Sequence, residues 1–164
     1  MKLTNRFLIY YPEILSSLVV LILLAAFVMQ HFFGFLPCKL CEIQRIPYYF
    51  ILLVSVLYFC TKKNYKILYV YLVMLACCIG AIVSFYHAGI EYGFFKNILN
   101  CEAAKNFNDI SQLKNYLENR IAVSCNEPVF KLIFSLSGWN FIISCFFIIY
   151  SLLLIVCLCF VYKV

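Results

Sequence analysis

Four long apolar runs constrain the fold of this chain more than any other feature of its sequence. They span about residues 14–33, 46–61, 67–87 and 139–162, and each is near the ~20 residues that an α-helix needs to cross a bilayer. Because lipid offers no hydrogen-bond partner to backbone groups, such runs must be helical. The sequence therefore predicts an all-α membrane protein, a bundle of four transmembrane helices with both termini on one side.

The composition agrees with a protein whose main partner is the lipid bilayer. Apolar residues make up 66% of the chain and charged residues only 12%, a balance typical of membrane proteins. Residues 1–164 form a single predicted domain, since the sequence contains no repeat, low-complexity tract or long linker. The first run is too long for a signal peptide and no small-residue cleavage site follows it, so we expect it to be retained.

The density of positive charge predicts the orientation in the membrane. On the side of the termini, basic residues crowd into very short segments: Lys2, Arg6, Lys62, Lys63, Lys66 and Lys163. The positive-inside rule then predicts cytoplasmic termini and two periplasmic loops, at about 34–45 and 88–138. The net charge of +6 reflects this topology, and no nucleic-acid partner is expected.

The second loop contains apolar residues at helical spacing. They are Ile110, Leu113, Leu117 and Ile121. Such a pattern predicts a short amphipathic helix that lies at the membrane surface.

Residues 37–45 read PCKLCEIQR, a C-x-x-C pair between two apolar runs. Pro37 suits the first turn of a helix, where the positive end of the helix dipole favours the thiolate form of Cys38 and Cys41. Arg45 lies four residues after Cys41 and shares its helical face, so a permanent cation stands near the sulfur. The pattern indicates a reactive redox pair.

Ten cysteines are present in the chain. Six lie within or near the apolar runs, where small apolar packing residues are expected: Cys60, Cys77, Cys78, Cys145, Cys157 and Cys159. The other four, Cys38, Cys41, Cys101 and Cys125, lie in the two loops predicted on one side. If that side is oxidising, an even set of this kind indicates disulfides.

Two alternatives for the loop cysteines remain open at this point. They could form permanent structural disulfides, although a four-helix bundle in lipid does not need them for stability. They could also form a tetrathiolate zinc site, but such sites usually combine two short C-x-x-C knuckles, and Cys101 and Cys125 are far apart in sequence. We therefore expect no metal ion.

Taken in order along the chain, these motifs resemble the DsbB-type disulfide oxidoreductases of bacterial inner membranes. The resemblance covers most of the chain. It rests on P-C-x-L-C-x-x-Q-R at 37–45, Gln-His at 30–31, Y-H-A-G-I-E at 86–91, L-S-G-W-N at 136–140, and the two loop cysteines Cys101 and Cys125.

The resemblance implies an enzyme of the bacterial inner membrane that reoxidises a periplasmic DsbA-like protein of the thioredoxin fold. It implies that the reduced partner attacks Cys101, that Cys125 then attacks Cys38, and that Cys41 is released as a thiolate beside a quinone. The electrons pass to ubiquinone or menaquinone. The sequence does not distinguish the two quinones.

The resemblance also implies a quinone-binding role for Arg45. A fixed cation can donate a hydrogen bond to a quinone oxygen and stabilise the anion formed on reduction, whereas the alternative is an interfacial arginine that reaches the lipid headgroups. His87 and Gln44 are further candidates for contact with the quinone.

Two other functions compete with this interpretation. A redox protein of the vitamin K epoxide reductase kind also carries a helical C-x-x-C, but the Gln44-Arg45 pair and the separation of Cys101 from Cys125 favour the DsbB type. A membrane scaffold with two structural loop disulfides would show loop cysteines that never change redox state.

Overall fold

The computed structural model describes residues 2–34, 37–61, 65–97, 125 and 134–162. Within these ranges the elements are α1 (Lys2–His31), α2 (Lys39–Cys60), α3 (Lys66–Glu91) and α4 (Leu136–Tyr162). The predicted all-α class is thereby confirmed. The amphipathic helix predicted near residues 110–121 and the side chain of Cys101 lie outside the described residues.

Each of the four helices contains a segment long and apolar enough to cross a membrane. These segments are Tyr10–His31, Lys39–Cys60, Lys66–Glu91 and Leu136–Val156, with lengths of 22, 22, 26 and 21 residues. They match the ~20 residues needed for a bilayer helix. The prediction of four helices long and apolar enough to span a membrane is confirmed, although α2 begins at Lys39, so that residues 39–45, assigned to the first loop from sequence, belong to the helix.

The outer surface of the bundle is apolar. Large hydrophobic side chains such as Leu21, Phe27, Ile82 and Phe146 are more than half exposed. In water so large an exposed apolar surface would drive association, whereas in a bilayer it contacts lipid. The burial pattern therefore agrees with four membrane-spanning helices.

The helices pack with α3 between α2 and α4, while α1 packs against α2. At the end of the bundle that carries the chain termini, Tyr11 of α1 connects two other helices. Its hydroxyl lies 2.7 Å from Ser151 Oγ of α4, and its ring meets Tyr69 of α3 edge to face with centroids 6.1 Å apart. Aromatic and polar contacts thus hold α1, α3 and α4 together at this end of the bundle, called the terminal end below.

The opposite end, where α1 and α3 finish and α2 and α4 begin, is called the cysteine end below. Here α3 stops in a tight turn, in which the N–H of Tyr92 donates to Ala88 O at 2.9 Å and Gly93 adopts φ +76°. Glycine accepts this left-handed conformation without steric cost. His87 and Glu91 lie in the last turns of α3, and His87 contacts the start of α2.

Candidate functional site

The C-x-x-C pair forms the first turn of α2. Cys38 is the N-cap residue with extended backbone (φ −73°, ψ 168°), and its Sγ accepts a hydrogen bond from the backbone N–H of Cys41 at 3.3 Å. Pro37 precedes the cap. A side chain that accepts from the first turn satisfies one of the unpaired N–H groups of a helix start. The pair is therefore fixed by helix capping as well as by packing.

The two sulfur atoms of the pair lie 3.1 Å apart, and Cys38 Sγ donates to Cys41 Sγ. This is a hydrogen-bonded dithiol, since a disulfide bond is about 2.05 Å long. The hydrogen bond to Cys41, together with burial, raises the pKa of Cys38 to about 12. Cys38 therefore holds its proton, and Cys41 Sγ is the acceptor.

His87 joins α3 to this pair. Its Nε2 lies 3.5 Å from Cys38 Sγ, and its Nδ1 lies 3.0 Å from Gln44 Nε2. An amide nitrogen can only donate, so Nδ1 accepts and the neutral ring carries its proton on Nε2. His87 thus directs an N–H group toward Cys38, and its hydrogen bond acts against the increase in the pKa of that thiol.

A short polar network continues from His87 toward α4. Glu91 Oε1 lies 3.7 Å from His87 Nε2, and Glu91 Oε2 accepts a hydrogen bond from the hydroxyl of Ser137. Ser137 Oγ in turn lies 2.8 Å from Ser135 Oγ. The network connects the last turns of α3 to the first turn of α4 beside the cysteines.

Cys125, from the second loop, is buried against the first-loop pair. It is 1% exposed and packs with Cys38, Leu40 and Ile90. Its Sγ, Cys38 Sγ and a ring nitrogen of His87 all lie within 4.8 Å of one another. The fold therefore brings cysteines of both loops to one place.

A cavity of about 400 Å³ opens on the other side of Cys41. It lies between α1, α2 and α4, and most of its lining is apolar. Its residues are Ile22, Leu23, Ala25, Ala26, Met29, Pro37, Cys41, Gln44, Arg45, Tyr48, Leu136, Trp139, Asn140 and Ile143. Cys41 thus lies between the cavity and the buried cluster of Cys38, His87 and Cys125.

The polar groups of the cavity are held in place by hydrogen bonds. Arg45 Nη1 donates to Gln30 Oε1 at 2.9 Å, which leaves further N–H groups of the guanidinium for another acceptor. The hydroxyl of Tyr48 donates to Asn140 Oδ1, and Asn140 Nδ2 donates to Ser84 Oγ at 2.8 Å. The guanidinium of Arg45, the thiol of Cys41 and the amide of Asn140 therefore line an otherwise apolar cavity.

The structure brings together most of the residues singled out from sequence. Cys38, Cys41 and Cys125 meet at the cysteine end, and Arg45 and Gln44 line the cavity. His87 contacts Cys38 and Gln44, and it is not among the described residues that line the cavity.

Sequence reasoning assigned no role to Tyr48 or Glu91. Tyr48 lies four residues after Gln44, and Glu91 lies four residues after His87. Residues four apart share a helical face, and this spacing could have identified both.

Comparison with known proteins gives two matches. Residues 12–154 match the family model described as "Disulfide bond formation protein DsbB". The chain is also similar to an uncharacterized protein of Rickettsia prowazekii (strain Madrid E), with 23% identity over 148 residues that cover 86% of this chain and 84% of the relative. No solved structure matches the chain.

Proposed function

The chain belongs to the DsbB family of disulfide bond formation proteins, and on that premise we propose that it is a quinone-dependent protein-disulfide oxidoreductase. Its substrate is a reduced periplasmic DsbA-like protein. The observation that carries the proposal is the position of Cys125, whose sulfur lies within 4.8 Å of Cys38 Sγ, while the partner of Cys38, Cys41, lines the cavity. Cys41 would thereby link thiol exchange between the loops to the cavity.

The proposed exchange begins in the second loop. A thiolate of the reduced partner attacks Cys101 of a Cys101–Cys125 disulfide, and Cys125 leaves as a thiolate. The second thiol of the partner resolves the mixed disulfide, which releases the oxidised partner and a thiol on Cys101. Two electrons and two protons have then moved from the partner to the loop.

The exchange continues between the loops. The Cys125 thiolate attacks Cys38 of the Cys38–Cys41 disulfide, and Cys41 leaves as a thiolate. Cys101 then attacks Cys125, so that the second-loop disulfide returns and Cys38 leaves. The first-loop dithiol now carries the electron pair, in the hydrogen-bonded form described above.

His87 supports the steps in which Cys38 is a leaving group or a nucleophile. The hydrogen bond to Cys41 and burial raise the pKa of Cys38, so its thiolate form is disfavoured at neutral pH. The Nε2–H of His87 faces this sulfur, and a hydrogen bond to the charged form favours that form. Gln44 fixes the ring orientation through Nδ1. We place His87 on the thiol side of the site.

The lining of the cavity supports binding of a quinone headgroup. Such a ring is planar and apolar with two carbonyl oxygens, and the site offers an apolar slot with the guanidinium of Arg45 and the amide of Gln44. Ligand sites of this kind combine an apolar lining with a few fixed polar groups. When bound, a ubiquinone or menaquinone would accept the two electrons and two protons that the Cys38–Cys41 pair gives up as its disulfide forms again.

The proposed orientation follows from the charge distribution. Cytoplasmic termini satisfy the positive-inside rule and put the cysteine end at the periplasmic face of a bacterial inner membrane, where disulfides persist. The partner can then reach the second loop from the periplasm, and the cavity opens at the depth of the outer half of the bilayer.

A reconstituted assay tests the proposal. Purified protein in detergent receives a reduced DsbA-like protein and ubiquinone, and loss of partner thiols is followed together with quinone reduction. We expect both signals to require the partner and Cys41, so that Cys41→Ser is inactive. Cys60→Ser is the matched control, because Cys60 is exposed at the terminal end of α2, and it should retain full activity.

A second experiment isolates the exchange between the loops. The double variant Cys41→Ser, Cys101→Ser cannot resolve a Cys38–Cys125 disulfide, so a mild thiol oxidant should trap it, as detected by mass spectrometry of non-reduced peptides. Absence of this product, or loop cysteines that keep their redox state in the presence of partner and either quinone, would point to a structural scaffold instead.

A further inference from the structure

The side chains of Cys38, Cys125 and His87 form a ligand set of a type that proteins use for zinc. All three residues are buried, at 4%, 1% and 2% exposure, and their Sγ and ring nitrogen atoms lie within 4.8 Å of one another. Two cysteines and one histidine are a known three-residue set for zinc, which leaves one open coordination position. Thiolate and imidazole donors suit thiophilic cations in general.

The distances agree with coordination. Zn–S and Zn–N bonds of about 2.3 and 2.0–2.1 Å at tetrahedral angles place a sulfur and a nitrogen ligand roughly 3.5 Å apart, and two sulfur ligands roughly 3.8 Å apart. Cys38 Sγ and His87 Nε2 are 3.5 Å apart. The distances from Cys125 Sγ to these groups are at most 4.8 Å, so only small side-chain shifts would be needed to bind an ion.

The surroundings of His87 provide the hydrogen bond that metal-bound histidines need. A ligating imidazole usually uses its second ring nitrogen to bond a neighbouring group, which fixes the ring. Here Gln44 occupies that position at Nδ1. Since a glutamine amide offers an oxygen as well as a nitrogen, it can pair with the tautomer that leaves Nε2 unprotonated for a metal.

Charge balance also favours a divalent cation. Two thiolates neutralise the ion, so the buried complex carries no net charge and avoids the cost of an isolated buried ion. The carboxylate of Glu91, with Oε1 3.7 Å from His87 Nε2, adds a further negative group beside the site. Binding of one M²⁺ by the two thiols and the imidazole releases two protons to solvent.

We propose that the reduced protein binds a thiophilic divalent cation, Zn²⁺ or Cd²⁺, through Cys38, Cys125 and His87. The site exists only in the reduced state, because a Cys38 sulfur in a disulfide with Cys41 or Cys125 is no longer a thiolate donor. Bound metal holds the thiols reduced and stops their exchange. This regulatory consequence rests on the proposed function, whereas the binding itself does not.

Cd²⁺ titration of the purified protein in detergent tests the proposal, with the ultraviolet absorbance of Cd–thiolate bonds as the signal. Fully reduced protein should bind one Cd²⁺ with an affinity that the oxidised protein lacks, and Zn²⁺ should displace it. Gln44→Ala should weaken binding about 10- to 100-fold, the usual effect of losing the partner of a ligating histidine. His87→Ala should weaken it further.

Two variants keep the test decisive. His87→Cys supplies a thiolate in place of the imidazole and should restore Cd²⁺ binding, which separates a lost ligand from a misfolded protein. Cys101→Ser should leave binding intact. If binding requires Cys101 and is indifferent to His87, the metal site is a tetrathiolate of the loops and the proposal is overturned. Equal binding by oxidised and reduced protein would overturn it too.

The readouts distinguish this proposal from the proposed function. Zn²⁺ should slow partner oxidation in the reconstituted assay, and a chelator should reverse the inhibition. Active protein that binds no Cd²⁺ in its reduced state refutes only the metal site. Protein that binds Cd²⁺ through His87 but never reduces quinone supports the metal site and refutes the proposed function.

Discussion

The Nε2 atom of His87 lies 3.5 Å from the Sγ atom of Cys38, although the two residues are 49 positions apart in the chain. This contact supports the proposed role of His87 at the thiols. It predicts that His87→Ala lowers turnover about 10- to 100-fold, the range expected from losing a hydrogen bond to a charged group. Turnover should recover as the pH rises, because the Cys38 thiolate then forms without the histidine.

The quinone KM is the control for this prediction. Since His87 is not among the described cavity residues, we expect the quinone KM of His87→Ala to match that of the wild type. A raised KM with unchanged kcat would instead place His87 at the quinone.

Arg45 is predicted to determine quinone affinity. Its guanidinium lies at the cavity and is held by Gln30 at 2.9 Å. Loss of a charge-assisted hydrogen bond costs about 1.5–3 kcal/mol, so Arg45→Gln should raise the quinone KM by roughly 10- to 100-fold in steady-state assays. Gln30→Ala removes only the orienting contact and should have a smaller effect in the same direction. Equal KM values for all three proteins would contradict the assignment.

The pKa of Cys38 is predicted to depend on its neighbour in the pair. The hydrogen bond to Cys41 is the largest cause of the raised pKa, about 12. Cys41→Ala removes the acceptor, so the pKa of Cys38 should fall and its thiolate fraction at a fixed pH should increase about tenfold for each unit lost. Alkylation rates of Cys38 in the reduced protein between pH 7 and 10, resolved by peptide mass spectrometry, measure this change.

Cys41→Ser is the matched variant, because its hydroxyl keeps a hydrogen-bond acceptor beside Cys38. It should alkylate more slowly at Cys38 than Cys41→Ala at every pH in that range. The same rate in both variants would show that burial alone sets the pKa.

Asn140 is predicted to stabilise the bundle at the cysteine end. Its side chain accepts from Tyr48 of α2 and donates to Ser84 of α3, so Asn140→Ala loses two contacts between helices. Such hydrogen bonds contribute about 0.6 kcal/mol each on average and up to about 1.7. We expect a loss of about 1–3 kcal/mol in the free energy of unfolding, measured by denaturant titration in mixed micelles.

Ser151→Ala is the comparison for this measurement. It removes the single contact with Tyr11 at the terminal end and should cost about half as much or less. A larger loss for Ser151→Ala would mean that the terminal end dominates stability.

The sequence predicted the helices because hydropathy alone requires them. A run of about 20 apolar residues has no other stable form in lipid, and Pro37 before the C-x-x-C motif indicated that a helix begins there. The position of His87 relative to the cysteines was not predictable in this way. It depends on how α3 packs against α2, a contact between helices that brings His87 to Cys38 and Gln44.

The burial of side chains and their contact partners could not be predicted from the sequence either. Cys125 lies within the long second loop and gives no local signal of burial, yet it packs with Cys38, Leu40 and Ile90. Contacts of this kind join segments distant in sequence, and only the packing of the whole bundle determines them. Glu91 and Tyr48 were identifiable by spacing from His87 and Gln44, but their partners on α4 were not.

The contact between Tyr11 and Ser151 bears on how a hydrophobic electron carrier would reach the thiols under the proposed function. It joins α1 and α4 near the terminal end, while nearer the cysteine end the same two helices are separated by the cavity. Under the proposed function we therefore expect a carrier from the acyl chains to enter the cavity between α1 and α4. Such a carrier would arrive by lateral diffusion, so its mole fraction in the membrane, not its concentration in water, would set the rate of supply.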